Sequence, residues 1–252
     1  MSNPALPPPF GLIGLESVGS TNDEARRRVS EGTAADLMVV TAKTQTAGRG
    51  RRGRVWQSPE GNLHASLLIR LDRSLAESAL IGFVAALSLC EALADLVPAA
   101  DFRCKWPNDV LCNGKKIAGM LLETAGDGWL VLGLGVDVVQ APPPGEALYA
   151  AIALAELGWI GDAGAVLAAF CGRFGPWLDR WRAEGYAPVR KAWLAHSRGL
   201  GEQAVVRLEA ETLVGIFAGL DDDGALILDQ GEGGIRRILA GDVFFPGNTS
   251  ET

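Results

Sequence analysis

The sequence has few of the residues that usually build metal or redox centres. It contains four cysteines and two histidines among 252 residues, and no two cysteines form a C-x-x-C pair. Cys90, Cys104, Cys112 and Cys171 are scattered without a histidine at metal spacing, which favours reduced and buried thiols. The sequence therefore indicates neither a disulfide scaffold nor a zinc site.

A long uninterrupted apolar segment is also lacking. The N-terminus has no basic stretch before an apolar one, and the prolines at positions 7–9 would interrupt a signal helix. The most apolar stretch, residues 75–97, contains Glu77, Glu91 and Asp95, which a membrane span would tolerate poorly. We therefore expect a core helix there, a cytoplasmic protein and no membrane partner.

The length and composition favour one large domain with a small appendage. Hydrophobic residues make up 48% and charged residues 21%, as in ordinary globular proteins. After about residue 199, short apolar runs alternate with turns rich in glycine and acidic residues, which is typical of a small β-barrel. We predict a catalytic domain over residues 1–200 and a small domain over residues 201–252.

Residues 48–54 place four arginines among three glycines, although the chain has a formal net charge of -7. Glycine lets main-chain N–H groups approach a ligand closely, and each guanidinium offers a fork of donors that fits carboxylate or phosphate. We call residues 48–56, which end at Trp56, the arginine loop. This composition predicts a site for a small anion.

Two other interpretations of the arginine loop are weaker. Its glycines match the G-x-G-x-x-G pattern, but the dinucleotide fingerprint also needs a helix directly afterwards and an acidic residue about 20 positions further on. Only the preceding strand is present in the sequence. A nucleic-acid patch is disfavoured because an acidic chain as a whole is repelled by a polyanion.

Hydrophobic periodicity and turn residues predict alternating strands and helices. The residues from Ser20 to Glu24 predict a helix start, with Thr21 or Asn22 as the N-cap. Further helices are predicted at 75–97, 147–157, 163–183 and 187–196, and strands at 37–42, 63–71, 102–106, 115–123, 129–137, 204–208, 213–220, 225–229 and 235–239. A hairpin turning at Asn113-Gly114 is predicted after the strand at 102–106.

Four groups of residues occur in an order that closely resembles the biotin-protein ligases. They are Ser20-Thr21-Asn22, the arginine loop with Gln45 before it, the K-W-P-N-D run at 105–109, and the K-K-I-A-G run at 115–119 with Glu123. The resemblance extends over about residues 15–247. The related lipoate ligases share the fold but lack this arginine loop.

The resemblance implies an α+β fold, with a mixed β-sheet flanked by helices, akin to class II synthetases, and a C-terminal SH3-like β-barrel. It also implies a two-step reaction with ATP, biotin and Mg²⁺. Biotin is activated as biotinyl-5'-adenylate and is then transferred to a lysine of a biotin carboxyl carrier protein domain. About 15 residues precede the resemblance, so we expect no DNA-binding domain; a homodimer is left open.

The resemblance also implies roles for individual residues. A buried ureido ring needs donors and acceptors, which hydroxyl and amide side chains supply. The implied biotin-binding residues are Ser20, Thr21, Asn22, Gln45, Arg49, Gly50, Arg51 and Lys116. The implied ATP-binding residues are Arg51, Arg52, Trp56, Asn108 and Asp109, with Lys105 near the triphosphate and Asp109 as a metal ligand. Because two anions must meet, Arg49, Arg51, Lys105 and Lys116 are the catalytic candidates.

Several of these residues have simpler interpretations. In these interpretations, the Ser20-Thr21-Asn22 run merely caps a helix, Trp56 and Trp106 merely pack, and Asp109 merely closes a turn. His64 and His196 are expected to be structural, and Lys115 to be solvated. Adenine stacking is open between Tyr149 and Trp159.

One departure from the family pattern is Asp137, where the family generally has asparagine; its role is open. Two other functions are considered. A lipoate or octanoate ligase would need an apolar tunnel instead of the polar Ser20-to-Asn22 end. A non-catalytic biotin-binding regulator would not need the retained lysines and arginines.

Overall fold

A computed structural model describes residues 4–126, 128–146 and 148–246 of the chain, together with all their side chains except that of Leu75. Residues 1–3, 127, 147 and 247–252 lie outside this description. Within the described part, two β-sheets and five α-helices are present.

The larger sheet has seven strands. They are β1 (Gly11–Val18), β2 (Met38–Gln45), β3 (Leu63–Arg70), β4 (Phe102–Lys105), β5 (Asp109–Cys112), β6 (Lys115–Gly126) and β7 (Trp129–Val136), in the spatial order β1-β2-β3-β7-β6-β5-β4. Strands β1 and β2 pair in parallel and the others pair antiparallel, so the sheet is mixed, as predicted.

The helices cover this sheet. They are α1 (Thr21–Ser30), α2 (Leu75–Ser78), α3 (Ile81–Leu96), α4 (Ala163–Glu184) and α5 (Tyr186–Ala195). One segment, Ala76–Leu96, is long and apolar enough to cross a membrane, but it is divided between α2 and α3 and is mostly buried. Helix α3 packs against α4, α5 and the sheet, so it is the core helix that the sequence predicts.

The smaller sheet has five antiparallel strands. They are β8 (Gln203–Arg207), β9 (Thr212–Leu220), β10 (Leu226–Asp229), β11 (Ile235–Ile238) and β12 (Asp242–Phe244), in the spatial order β11-β10-β9-β8-β12. Phe217 and Leu228 on this sheet are fully buried and belong to the same apolar cluster as helix α3. The small sheet therefore shares its apolar core with the larger sheet and its helices.

The predicted helix over 147–157 is wrong. The described residues there contain only a 3-10 turn at Leu154–Leu157. Lys116 on β6 donates its N–H to the Ala150 carbonyl and accepts from the Ile152 N–H. Pairing with an existing strand outweighs the helix propensity of an alanine-rich segment. The sequence analysis also missed strands β1 and β12, and it treated 75–97 as one helix.

Candidate active site

Helix α1 packs against strands β2, β3 and β7 of the larger sheet, and three buried polar residues lie at its start. Ser20 occupies the N-cap position, but its hydroxyl makes no capping hydrogen bond within the described part of the chain. Thr21 donates from its backbone N–H and its hydroxyl to Gln45 Oε1, at 2.8 and 3.1 Å. Gln45 in turn donates to the hydroxyl of Ser58, at 2.9 Å. The run is thus a part of a tertiary network and not only a helix cap.

The same network extends along strands β3 and β6. Ser66 Oγ lies 2.7 Å from Thr21 Oγ1 and 2.5 Å from Asn22 Oδ1. Asn22 donates from Nδ2 to Glu123 Oε2 at 2.6 Å. Because each of these side chains is fixed by its neighbours, donors and acceptors are held in place before any ligand arrives.

Glycines on β6 and β7 make room for this network and for Trp56. A Cβ atom at Gly133 would lie 2.5 Å from Asn22 Oδ1, and one at Gly135 would lie 2.4 Å from the Trp56 ring. A Cβ atom at Gly119 would lie 3.3 Å from the same ring. The side of Trp56 therefore rests on bare backbone, and larger residues at these positions would displace it.

A pocket opens between these groups, and we call it the polar pocket. Its lining consists mainly of polar side chains and glycines, among them Ser20, Thr21, Asn22, Gln45, Arg49, Gly50, Arg51, Trp56, Asn108, Lys116, Gly133 and Gly135. It therefore unites all eight predicted biotin-binding residues.

The arginine loop is a tight hairpin beside the pocket. The Gly50 N–H donates to the Arg54 carbonyl at 2.7 Å, and the Trp56 N–H to the Gly48 carbonyl at 3.0 Å. A side chain at Gly48 would clash with the Trp56 carbonyl, at 2.5 Å. Arg52 adopts a left-handed conformation with φ of 56°. With the loop fixed in this way, its arginine side chains reach partners on different parts of the protein.

The first two arginines of the loop, Arg49 and Arg51, have different partners. Arg49 forms a bidentate ion pair with Asp23 on α1, with both distances 2.7 Å. The Arg49 hydrogen bond outweighs partial burial and lowers the pKa of Asp23 to about 2. Arg51 donates to Asn108 Oδ1 at 3.0 Å, and its burial lowers the guanidinium pKa from its ordinary value. Arg51, not Arg49, is the arginine that faces the interior.

Two lysines share one carboxylate at the end of β5. Lys116 Nζ lies 2.7 Å from Asp109 Oδ1, and Lys105 Nζ lies 3.7 Å from Oδ2. Burial works to raise the pKa of Asp109, but the two lysines outweigh it and hold the pKa below its ordinary value. Burial lowers the pKa of Lys105 to about 8. Its ammonium lies 3.3 Å from the centre of the Tyr149 ring.

These charges line a second compartment, the cationic cavity. Four cations and two carboxylates surround it together with polar and aromatic groups, namely Arg51, Arg54, Lys105, Lys116, Asp109, Asp242, Asn108 and Tyr149. It has an excess of positive charge, which suits a polyanion. Arg51 and Lys116 line both this cavity and the polar pocket.

A third compartment, the outer cleft, lies on the other side of Trp56. Its lining combines apolar and polar groups, among them Val55, Trp56, Asp137, Leu148 and Tyr149. Tyr149 thus lies at the site, whereas Trp159 packs against the apolar core and lines none of the three compartments. Of the two residues between which adenine stacking was left open, Tyr149 is therefore the one that lines these compartments.

Asp137 is a buried carboxyl at the outer cleft. Asn62 donates to its Oδ1 at 3.2 Å and also accepts three backbone N–H groups from residues 138–140. Burial raises the pKa of Asp137 to about 7, although Lys116 works in the opposite direction. The carboxyl therefore changes charge near neutral pH.

Asp109 does not fit the predicted metal role. Both of its oxygens face lysine ammonium groups, and the neighbouring Asn108 Oδ1 accepts from Arg51. Among the residues that the structure describes, no group of three or more His, Cys, Asp or Glu side chains could hold a metal ion. Mg²⁺ prefers carboxylate and water oxygens free of competing cations, so we derive no step from a metal held at Asp109.

The remaining predictions concern packing residues. Trp106 is buried and donates its indole N–H to the Gly224 carbonyl at 3.0 Å, which makes it structural. His64 and His196 contact backbone carbonyls, and Lys115 is exposed. The four cysteines are buried free thiols.

Sequence reasoning missed three polar partners of the site. A serine within the apolar strand β3 signals a buried polar contact, so Ser66 could have been found. Asp23 and Asp242 carry no such signal, because exposed-looking acids are common in helices and turns.

Comparison with known proteins agrees with this geometry. The model of the "Biotin/lipoate A/B protein ligase family" matches residues 14–137, and that of the "Biotin protein ligase C terminal domain" matches residues 199–245. The chain is 40% identical over 244 residues to the biotin–[acetyl-CoA-carboxylase] ligase of Paracoccus denitrificans, covering 92% of this chain and 100% of the relative. It is 31% identical to the bifunctional ligase/repressor BirA of Bacillus subtilis, covering 92% and 73%.

A solved structure has the same fold. The biotin protein ligase of Aquifex aeolicus, in complex with biotin and ATP, superimposes with a TM-score of 0.80 at 30% identity, covering 93% of this chain and 97% of that one. This likeness confirms the predicted class, a mixed sheet flanked by helices with an SH3-like C-terminal domain. On its sequence, its fold and the residues assembled at its site, the chain belongs to the biotin/lipoate protein ligase family and is a biotin protein ligase.

Proposed function

We propose that the protein uses ATP to convert biotin into biotinyl-5'-adenylate and transfers the biotinyl group to a lysine of a biotin carboxyl carrier domain. One observation supports this most directly. The polar pocket and the cationic cavity adjoin each other and share Arg51 and Lys116. A neutral polar ring and a polyphosphate can thus be bound on the two sides of one cationic junction.

The polar pocket suits the ureido ring of biotin. That ring has two N–H donors and one carbonyl acceptor, and it is neutral. The hydroxyl groups of Ser20 and Thr21 and the amide of Asn22 offer both kinds of partner, and all three residues are buried. A lipoyl or octanoyl chain offers no hydrogen-bond partner to this polar lining, which disfavours it as a substrate.

The junction suits the meeting of two anions. The biotin carboxylate would lie against Arg51 and Lys116, whose charges offset its repulsion by the α-phosphate. A carboxylate oxygen attacks the α-phosphorus, the bond from that phosphorus to the bridging oxygen breaks, and pyrophosphate leaves. Lys105 and Arg54 line the cavity where the leaving pyrophosphate would lie, and their positive charges stabilise its negative charge.

The second step needs an acceptor amine. A neutral lysine amine attacks the carbonyl carbon of the mixed anhydride, an amide forms, and AMP leaves with the bonding electrons and a proton is released. The name of the Paracoccus relative specifies an acetyl-CoA carboxylase, which supports a carboxylase carrier domain as the acceptor. Until the acceptor arrives, the arginine loop shields the anhydride from water.

Pyrophosphate release from ATP tests this proposal. We expect release with biotin, and at most trace release with lipoate, with octanoate or with no acid. Transfer is then followed by mass spectrometry of a carrier domain and of the same domain with its acceptor lysine changed to arginine. Release with lipoate and not biotin would favour a lipoate ligase, and biotin binding without release would favour a non-catalytic regulator.

A further inference from the structure

One carboxylate of the C-terminal domain holds the arginine loop. Asp242, at the start of β12, accepts on Oδ2 from Arg52 Nη1 at 3.2 Å and from Arg54 Nη2. The side chain of Asp242 is only 14% exposed. These partners are about 190 residues apart in the chain, so the contact joins the two domains directly across the site.

Asp242 is held firmly on its own side. It pairs with Arg207 in the β8–β12 ladder, and the next residue, Val243, accepts a hydrogen bond from the Tyr149 hydroxyl at 3.3 Å. Burial works to raise the pKa of Asp242, but Arg54 and Arg52 outweigh it and hold the pKa below its ordinary value. The carboxylate is therefore ionised at neutral pH.

The loop needs such an anchor. Arg52 has φ of 56°, a left-handed conformation that non-glycine residues seldom adopt without external support. Its neighbours Gly50 and Gly53 resist any fixed conformation, since glycine loses more freedom on ordering than any other residue. The ion pairs to Asp242 hold the loop at its tip, where the hairpin hydrogen bonds end.

The position of Asp242 would be unfavourable for a purely structural acid. It faces the cationic cavity, where an unpaired carboxylate would repel phosphate. Arg52 and Arg54 of the loop both approach the same oxygen of Asp242, so contact with the loop offsets much of this unfavourable charge at the phosphate site. This arrangement links the order of the loop to the C-terminal domain.

We propose that Asp242 is a positioning residue by which the C-terminal domain holds the arginine loop over the site and slows the escape of the acyl-adenylate. This inference rests on the proposed function, because it concerns retention of the product of the first step. Asp242 itself does not contact the reacting atoms; it acts through Arg52 and Arg54.

The test compares Asp242→Asn with Asp242→Glu and with a matched control, Asp223→Asn. Asp223 belongs to the same domain and pairs with Arg237 at 2.8 Å, but its side chain is 75% exposed and this partner lies outside the arginine loop. Two readouts are used: tryptic cleavage after Arg51, Arg52 and Arg54 in the ligand-free enzyme, and release of biotinyl-adenylate formed from labelled ATP and chased with unlabelled substrates.

We expect Asp242→Asn to raise both loop cleavage and adenylate release about tenfold, with a smaller change in the rate of pyrophosphate formation. Asp242→Glu should restore most of the protection, and Asp223→Asn should match the wild type. Unchanged cleavage and release in Asp242→Asn would overturn the proposal, as would equal changes in Asp223→Asn.

A second variant guards against misfolding of the small domain. Arg54→Gln removes the pair from the loop side, where no core residue is touched. Because trypsin does not cleave after glutamine, this comparison scores cleavage after Arg51 and Arg52 only. The double variant Asp242→Asn with Arg54→Gln should show no more cleavage there than either single variant, because both remove one interaction. Additive effects would contradict the pairing. If the wild type forms no adenylate, the proposed function fails, while the cleavage assay still tests the loop contact separately.

Discussion

The two ends of the site are built differently. In the polar pocket, Thr21, Asn22, Gln45 and Ser66 are joined by hydrogen bonds that are complete without a ligand. In the cationic cavity, Lys105, Lys116 and Arg54 are paired with the protein's own carboxylates. A neutral ring can therefore enter a prepared pocket, whereas a polyphosphate meets cations that already have carboxylate partners.

This difference follows from the cost of burying each kind of group. A buried neutral polar group needs only hydrogen bonds, but a buried cation without a counter-charge is strongly disfavoured. Lys105, which is almost fully buried, is accordingly kept beside Asp109 and over the Tyr149 ring. The carboxylates of the cavity therefore hold its cations in place in the ligand-free protein.

The largest expected effect is at the junction of the two compartments. Lys116→Ala should slow pyrophosphate release about a hundredfold, since a charge-assisted hydrogen bond is worth roughly 1.5–3 kcal/mol. Lys115→Ala, which changes the exposed neighbouring lysine, is the control and should behave like the wild type. Equal rates in both variants would remove Lys116 from the site.

A smaller effect is expected from Asp137. Among the described residues, it is the one buried carboxyl at the site that has no cation within hydrogen-bonding distance. Burial raises the pKa of Asp137 to about 7 from 3.8, so the folded state binds its proton more tightly than the unfolded state. Stability is then lost as pH rises from about 4 to 7. Asp137→Asn should remove this loss and stabilise the protein by about 2 kcal/mol above pH 7, since the cleft allows some solvent relaxation.

Urea unfolding of Asp137→Asn and wild type at pH 4.5 and pH 8 measures this effect. The two proteins should be nearly equal at pH 4.5 and differ at pH 8. A difference that is independent of pH would show that Asp137 is not a titrating group in this range.

Because the polar pocket is formed before ligand binding, a change in it should weaken the affinity for biotin alone. Asn22→Ala should weaken biotin binding about tenfold, because Ser66 and Glu123 lose a partner and the ring loses a donor or acceptor. ATP binding should stay the same. Thr44→Ala, on the exposed side of the same region, is the control in isothermal titration. Equal losses for both ligands would break the comparison between the two ends.

The smallest effect is a pH dependence at the cationic end. Burial lowers the pKa of Lys105 to about 8, so the free enzyme loses this charge above pH 8. ATP affinity should weaken there, by less than about tenfold per pH unit. In Lys105→Arg the charge persists and the profile should be flat over this range. Parallel profiles for the two proteins would exclude Lys105 from the phosphate contacts.

Features of the fold and site were predictable where they depend on residues close together in the sequence. The helix at α1, the strands β3, β6 and β7 and the turn at residues 113–114 follow from periodicity and turn residues close in sequence. The motif residues of the polar pocket meet as expected. The helix expected over 147–157 does not form, because backbone groups of this segment hydrogen-bond to Lys116 of strand β6, which is distant in sequence.

The least predictable features are long-range ion pairs. Nothing near Asp242 indicates that it meets the arginine loop, and nothing near Asp23 indicates a partner in Arg49. Such contacts depend on how whole domains pack. Gly133 and Gly135 can be read from the sequence. Only the structure shows why glycine is needed there: Asn22 and Trp56 approach the backbone closely at these positions.

The central claim is that the two ends act together through the arginine loop. The most direct test measures thermal unfolding with biotin, with α,β-methylene-ATP, which cannot release pyrophosphate, and with both. Because the first ligand orders the loop for the second, the combined shift in melting temperature should exceed the sum of the separate shifts. Strictly additive shifts would contradict the claim.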